Sequence, residues 1–134
     1  MITETAKRKL ALFLKEFFTE ANVGVGGNAS NPNMTDLDVP ILTSKKTTTN
    51  SESTQNVIDF TATFTGTELD GNTVREFGIF SDTMPADDQF DELRTTTSYT
   101  AETNDVMLAR VNFDALGPFT SSDTLDFTFT MEVE

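Results

Sequence analysis

The stretch from Thr73 to Ser81 constrains the fold most, because it has the length of a strand and large apolar groups on both faces. In an extended chain Phe77 and Ile79 fall on one face, and Val74 and Phe80 fall on the other. A strand that is apolar on both faces must be covered on both sides. The pattern therefore predicts a central strand. Gly78 interrupts this bulk and predicts a bulge or a close approach by another backbone.

Three further stretches have strand patterns. Leu125 to Val133 alternates strictly between apolar and polar residues, Val57 to Thr65 does nearly the same, and Met107 to Phe113 is a mostly apolar run. The Thr-rich and Ser-rich stretch from Ile41 to Asn56 permits an edge strand, and a mobile segment is the alternative. An Asp-Gly step within Glu68 to Asn72 predicts a tight hairpin that pairs Val57–Thr65 with Thr73–Ser81.

The residues between the central strand and Met107 are mostly polar. Asp82 to Leu93 is predicted to be an acidic loop that is either solvated or holds a cation, and Arg94 to Thr100 permits a short strand. Ala101 to Asp105 is predicted to be a turn.

The N-terminal stretch predicts an amphipathic helix from about residue 3 to residue 21. Its apolar stripe follows helical spacing and is formed by Leu10, Phe13, Leu14, Phe17, Phe18 and Ala21. Thr3 or Thr5 can cap its start. Burying the large side chains of the stripe is worth roughly 10 kcal/mol gross, so the helix must dock. It either covers a face of its own sheet or packs against a neighbouring subunit or another protein.

These elements predict one mainly β domain over residues 1–134. Strands and helices do not alternate, so a doubly wound fold is excluded. We expect an antiparallel β-sandwich or partly closed barrel with one N-terminal amphipathic helix.

Composition removes several classes of function. The chain has neither Cys nor His, which excludes disulfides, thiol and imidazole catalysis and ordinary zinc sites. A net charge of −13 argues against nucleic-acid binding. No stretch is apolar enough to span a membrane, and no secretion signal is recognised. The acidic surface is explained either by solubility or by adaptation to high salt, where charges are screened over a shorter distance.

The Gly-rich loop from Asn22 to Pro40 does not have a phosphate-binding pattern. Both phosphate motifs are absent, and the loop follows a helix, whereas phosphate loops precede one. Asp36 and Asp38 are weak candidates for a hard cation, and a structural turn is the alternative. The sequence predicts no cofactor.

Three charged residues lie in the predicted central and neighbouring strands. Glu76 is the one acid inside the central strand, where it could serve as an acid catalyst. Arg75 is adjacent, and Arg110 lies in the neighbouring strand. A structural ion pair between Arg110 and Glu76 accounts for these residues, and we expect no enzymatic activity.

The order of these motifs resembles a diffuse family of tailed-virus structural proteins, found in tail fibres, baseplates and adaptor modules. The matching stretches cover most of the chain and are Val23–Gly27, Asp36–Leu42, Val57–Phe64, Val74–Phe80, Leu108–Phe113 and Leu125–Val133. None is a catalytic signature. The chain departs from the family at Thr120 to Thr124, where a basic turn is usual, and in its heavier acidity.

The resemblance implies a virion component of the tail, baseplate or fibre attachment. Such a component assembles in the host cytoplasm, with itself as a ring or trimer and with other tail proteins. The stripe residues Leu10 to Phe18, the outer helix face and the polar edge Lys45 to Thr49 are its candidate contacts. A capsid-surface decoration protein and a carbohydrate or host-surface binding module remain alternatives. For a sugar site the lack of Trp and the single Tyr99 are unfavourable.

Overall fold

A computed structural model of the chain describes residues 1–81 and 106–134. It is mainly β, with two antiparallel sheets and an N-terminal helix, which confirms the predicted fold class. The described strands form a sandwich-like arrangement and do not close into a barrel. The elements are α1 (Glu4–Phe17), β1 (Glu20–Gly24), β2 (Lys46–Thr47), β3 (Thr49–Thr54), β4 (Val57–Thr65), α2 (Gly66–Leu69), β5 (Val74–Phe80), β6 (Met107–Leu116) and β7 (Thr124–Glu132). The predictions for Asp82–Leu93, Arg94–Thr100 and Ala101–Asp105 lie outside the described residues.

Strand β5 is central, as its two apolar faces predict. The first sheet has the order β2-β1-β5-β6, so β5 lies between β1 and β6. Every residue of β5 is buried except Arg75. The second sheet has the order β3-β4-β7 and covers the inner face of the first.

The core lies between the two sheets and is rich in Phe. The Phe77 ring of β5 stacks on the Phe127 ring of β7 with centroids 4.5 Å apart, and the Phe64 ring of β4 meets Phe77 edge-on at 6.5 Å. Such pairs stabilise a core beyond their buried area by about 1 kcal/mol each. The alternation predicted for the last strand is present, but its inward residues are half-buried.

Helix α1 is shorter than predicted. Thr3 caps it by accepting a hydrogen bond from the Ala6 amide at 3.2 Å, but the helix ends at Phe17 and β1 begins at Glu20. Ala21 continues the apolar stripe by spacing, yet it is fully buried in the sheet, where it pairs with Ile79. Strand pairing overrides the helical period here, because β1 completes the ladder of the central strand.

The helix packs on its own domain, on the inner face of β3 and β4. Ala11 is its fully buried residue, and Leu14 and Phe18 pack on the core. Asn50, which stands opposite Phe60 and so shares its face, donates to the carbonyls of Lys15 and Phe18 at 2.8 Å. These bonds satisfy two of the carbonyls that a helix C-terminus leaves without intrahelical partners.

The predicted hairpin between β4 and β5 is wrong. Strand β4 pairs with β3 and β7, whereas β5 pairs with β1 and β6, so the two strands belong to different sheets. The short helix α2 makes the crossing. Its capping box joins Thr65 and Glu68, and Asp70 ends it in the left-handed region at φ 48°. The Asp-Gly step therefore ends a helical turn instead of forming a hairpin.

Candidate functional site

The Glu76 carboxylate is buried in the first sheet and surrounded by hydrogen-bond donors. Its side chain is 0% exposed and accepts four hydrogen bonds. Oε2 accepts from the amides of Gly26 at 2.9 Å and Val39 at 2.8 Å. Oε1 accepts from the Asp38 amide at 2.8 Å and from Arg110 Nε at 2.9 Å. These five residues are called the Glu76 cluster below.

The cluster fastens the Gly-rich loop to the outer face of the first sheet. The Val25 amide donates to the Val39 carbonyl at 2.9 Å, so the two ends of the loop lie side by side. Both ends then turn their amides toward the same carboxylate. A buried carboxylate is tolerated only when hydrogen bonds and an opposite charge replace its water, and this loop supplies three of those bonds.

Two glycines are required by the close approach of the loop. A Cβ on Gly24 would lie 2.5 Å from the Val39 carbonyl oxygen and would also overlap Glu76 Oε2. A Cβ on Gly26 would lie 2.7 Å from Glu76 Oε2. Neighbouring Gly27 has room, since its nearest contact would be 3.7 Å away on Arg75. The first two glycines of the loop are therefore needed for the loop to reach this carboxylate.

Arg110 completes the cluster from β6 and forms the ion pair expected with Glu76. Its side chain is 1% exposed, and Nη1 donates to Ser30 Oγ at 2.8 Å. Nη2 is buried and finds no hydrogen-bond partner among the described residues. Arg75, which the sequence places beside Glu76, is exposed and does not belong to the cluster.

This geometry stabilises the fold and keeps the Glu76 carboxylate away from solvent. Both carboxylate oxygens are occupied by donors and covered by backbone. A substrate could reach Glu76 only if the loop detached. The arrangement therefore supports the structural interpretation of Glu76 over the catalytic one.

Gly78 of β5 is explained by a close approach, but of a side chain and not of a backbone. A Cβ there would lie 2.9 Å from Cδ2 of Leu37 and 2.9 Å from the ring of Phe80. Leu37 is 4% exposed and covers this part of the outer face. The loop thus contributes both amides and an apolar side chain to the same face.

Asp36 and Asp38 stand in this loop as turn residues. Asp36 Oδ1 accepts from the Leu37 amide at 2.7 Å, and Asp38 contributes its amide to the Glu76 cluster. Over residues 1–81 and 106–134 no three His, Cys, Asp or Glu side chains are grouped so that they could hold a metal.

The predicted helix residues divide between core and surface. Leu14 and Phe18 pack on the core, whereas Leu10 is 49% exposed. The Phe13 and Phe17 rings meet at 4.7 Å. A shallow groove of about 440 Å³ runs beside the end of the helix, lined by Leu12, Lys15, Glu16, Thr19, Thr48 and Asn50.

The polar edge Lys45–Thr49 makes contacts within its own domain, and its role as a contact surface stays a prediction. Lys46 Nζ bonds Glu68 Oε1 at 2.8 Å, and Lys45 Nζ lies 4.6 Å from the centroid of the Phe80 ring. Thr48 is 9% exposed. These side chains fix β2 to its own domain.

Sequence reasoning missed the polar residues that connect the loops. Asn22 is 2% exposed, and its amide group donates to the Leu42 carbonyl at 3.0 Å while its Oδ1 accepts from the Leu42 amide at 3.2 Å. Nothing in the sequence distinguishes Ser30 from other loop serines. For Asn22 the only signal is its position between two apolar residues, Ala21 and Val23, which is compatible with a strand as well as with a loop.

No protein-family model matches the chain, and no curated protein shows significant similarity to it. Within the described part of the chain, no helix has the length and hydrophobicity needed to cross a membrane.

The pKa of Glu68 is lowered from its ordinary value of 4.5, chiefly by the hydrogen bond from Lys46 and then by that from the Thr65 amide. A depressed folded-state pKa adds stability above pH 4.5, and this contribution is lost as the pH falls through the folded-state pKa. Glu68→Gln retains the capping box but not the charge, so we expect a loss of about 0.5 kcal/mol at neutral pH. Urea unfolding from neutral to acidic pH should show that the difference from wild type shrinks on acidification.

The matched control is Glu132→Gln, since Glu132 is exposed and has no ion-pair partner among the described residues. A Glu68→Gln loss that stays constant across this pH range would contradict the assignment.

Proposed function

We propose that the chain is a non-enzymatic structural protein of a tailed virus, a tail, baseplate or fibre-attachment component that assembles with itself and with neighbouring tail proteins. The proposal rests first on the motif order along the sequence. The single observation in the structure that supports it best is the convergence of four of those motifs on one buried carboxylate.

These four motifs are far apart in the chain. Gly24 and Gly26 come from the first, Leu37 and Asp38 from the second, Glu76 and Gly78 from the third, and Arg110 from the fourth. The residues that recur in the motifs have distinct physical roles, since the glycines admit the backbone, Leu37 covers Gly78, and Arg110 neutralises Glu76. The four motifs therefore pack and hydrogen-bond together as one unit. This supports treating their order along the chain as a single family pattern.

The role of that unit is mechanical. A loop that donates three charge-assisted hydrogen bonds to a buried carboxylate, together with a two-sheet core, gives a rigid module, and charge-assisted bonds are roughly twice as strong as neutral ones. A rigid module of this kind suits a connector in a particle. The acidic composition suits assembly at high salt, where like charges repel each other less.

Gold labelling of purified particles with an antibody to this chain tests the proposal. Label at the tail end is expected. Label over the head would replace the tail assignment by capsid decoration. Particles that lack the chain even after denaturation, while accepting a control antibody, would overturn the virion assignment and favour the host-surface binding module.

The helix provides a second test, because Leu10 and Leu14 lie one turn apart on the apolar stripe, but Leu14 packs on the core whereas Leu10 is exposed. Leu14→Asp places a charge against the core, and we expect a loss of about 1–2 kcal/mol in unfolding free energy. Leu10→Asp, at a residue that is 49% exposed, should change stability by less than about 0.5 kcal/mol. Urea unfolding of both variants measures this.

The same pair separates folding from assembly. If Leu10→Asp leaves stability intact but removes the chain from particles, the exposed part of the apolar stripe contacts a partner. If Leu14→Asp protein is as stable as wild type, the helix is not docked as described.

A further inference from the structure

Within residues 1–81 and 106–134, strand β7 has an edge that no other strand pairs with, and it lacks several of the features that usually protect edge strands. It pairs with β4 along all nine residues without a shift of register, and its other edge has no partner among the described strands. Edges are usually protected by Lys, Pro, bulges or short length. The segment from Thr124 to Glu132 contains no Lys and no Pro.

The other edges of the two sheets are protected. Strand β3 has a register shift between Glu52 and Thr54, and β2 is two residues long and contains Lys46. Strand β6 has two register shifts. Among the described strands, β7 is thus the edge best suited to pair with another strand.

Apolar side chains on the inner faces of β6 and β7 are partly exposed beside this edge. They are Val111, Phe113, Phe127, Phe129 and Met131. Val111 pairs with Phe77 and so faces the interior, yet it is 42% exposed. Phe113 of β6 and Phe127 of β7 have ring centroids 5.5 Å apart and remain half-buried. Apolar surface at a sheet edge marks an interaction site.

We propose that β7 pairs antiparallel with β7 of a second copy of this chain, about a two-fold axis through Thr128, to give a continuous six-stranded sheet. This inference rests on the self-assembly in the proposed function and names its surface. The axis is perpendicular to the sheet, so the inner faces of both copies point the same way. The partly exposed apolar side chains of the two β7 strands then adjoin across the axis.

The sequence of β7 is self-complementary in this register. Thr128 is the midpoint of the strand, so all nine residues of each copy pair. On the inner face Phe127 lies opposite Phe129 of the second copy, and Leu125 lies opposite its Met131. On the outer face Asp126 faces Thr130, and no two acids are opposed.

The neighbouring registers are poorer. Moving the axis to Phe129 places Asp126 opposite Glu132 of the second copy and leaves seven pairs within the strand, and like charges directly opposite each other are destabilising. Moving it to Phe127 also leaves seven pairs and brings Asp123 opposite Met131. A shift by one residue would turn the apolar face of one copy to the solvent side of the other. Charge and apolar pattern therefore select one register.

The absence of Cys from the chain allows a direct test. Thr128 is exposed, so Thr128→Cys should fold, and two copies of residue 128 meet at the axis within the distance that a disulfide spans. We expect oxidation of the purified variant to give a covalent dimer that reductant reverses. The matched control is Thr63→Cys, which is also exposed and lies on the same face but one strand further in. Its two copies would be at least about 14 Å apart and should stay monomeric.

Sedimentation of the wild-type chain gives an independent readout. Each copy has a net charge of −13, so repulsion opposes pairing at low salt. We expect the dimer dissociation constant to fall by about tenfold or more between about 0.15 M and about 1 M salt, as the Debye length shortens.

The outcomes separate this inference from the proposed function. A monomer at every salt concentration, together with no Thr128→Cys dimer, overturns the β7 pairing even if gold labels the tail. A mixed disulfide between Thr128→Cys and a different protein in particles assigns the edge to another partner and also overturns it. A covalent dimer supports the pairing even if particles carry no label, in which case the virion function fails alone.

Discussion

Replacing Glu76 by Gln is expected to lower the unfolding free energy by about 3–5 kcal/mol, because the buried charge of Arg110 would lose its partner. Glu76 now accepts hydrogen bonds from Gly26, Val39, Asp38 and Arg110. Gln has only one acceptor oxygen, so its NH2 group would point at some of these N–H donors and leave them without an acceptor. The unfolding free energy of a domain of this size is about 5–15 kcal/mol in total, so the variant should be only marginally stable. Urea unfolding measures the loss.

The control for this variant is Arg75→Gln, which changes an exposed charge one residue away and should stay within about 0.5 kcal/mol of wild type. Hydrogen exchange should show lost protection at the Gly26, Asp38 and Val39 amides. A double-mutant cycle with Arg110→Met should give a coupling energy of about 0.5–3 kcal/mol. A Glu76→Gln loss below about 1 kcal/mol, with these amides still protected, would show that the carboxylate does not hold the loop.

Gly24→Ala is expected to destabilise the domain by about 2–3 kcal/mol, because the new methyl group would meet a backbone oxygen that has little freedom to move. The Val39 carbonyl would lie 2.5 Å from the added Cβ, and it already accepts from the Val25 amide. Relief requires the loop to separate from β1 and thereby from Glu76. Thermal or urea unfolding measures the change.

Gly27→Ala is the matched control, three residues further along the same loop. Its Cβ would meet Arg75 at 3.7 Å, an ordinary contact with a flexible side chain, so stability should change by less than about 1 kcal/mol and could rise. Equal losses for the two variants would mean that the loop is sensitive to any Cβ, and that the close approach at Gly24 is not the cause.

Much of the fold could be predicted because the apolar periodicity of a strand is local. Strand β4 begins and ends at the predicted Val57 and Thr65, and the alternation of β7 orients its side chains as expected. The two apolar faces of Thr73–Ser81 placed β5 in the middle of a sheet. Arg110 and Glu76 could be paired because both interrupt otherwise apolar strands.

The choice of partner strands could not be predicted. Val57–Thr65 and Thr73–Ser81 are separated by a short turn, which favours a hairpin, but the capping box at Thr65 and Glu68 builds α2 and directs the chain to the other sheet. The helix stripe likewise extends to Ala21 by spacing, although that residue belongs to β1. At Ala21 a long-range ladder outweighed the local helical spacing, whereas at Thr65 one local signal, the capping box, prevailed over another, the Asp-Gly step.

The sequence by itself determined that this is a mainly β domain with a docked N-terminal helix, an apolar central strand and one buried acid facing one buried base. Tertiary structure decided which strands share a sheet. It also placed three amides of the Gly-rich loop where they donate hydrogen bonds to Glu76. The reason is physical. Three of the four donors to that carboxylate are backbone amides, which almost every residue possesses, so no letter of the sequence marks them until the fold brings them together.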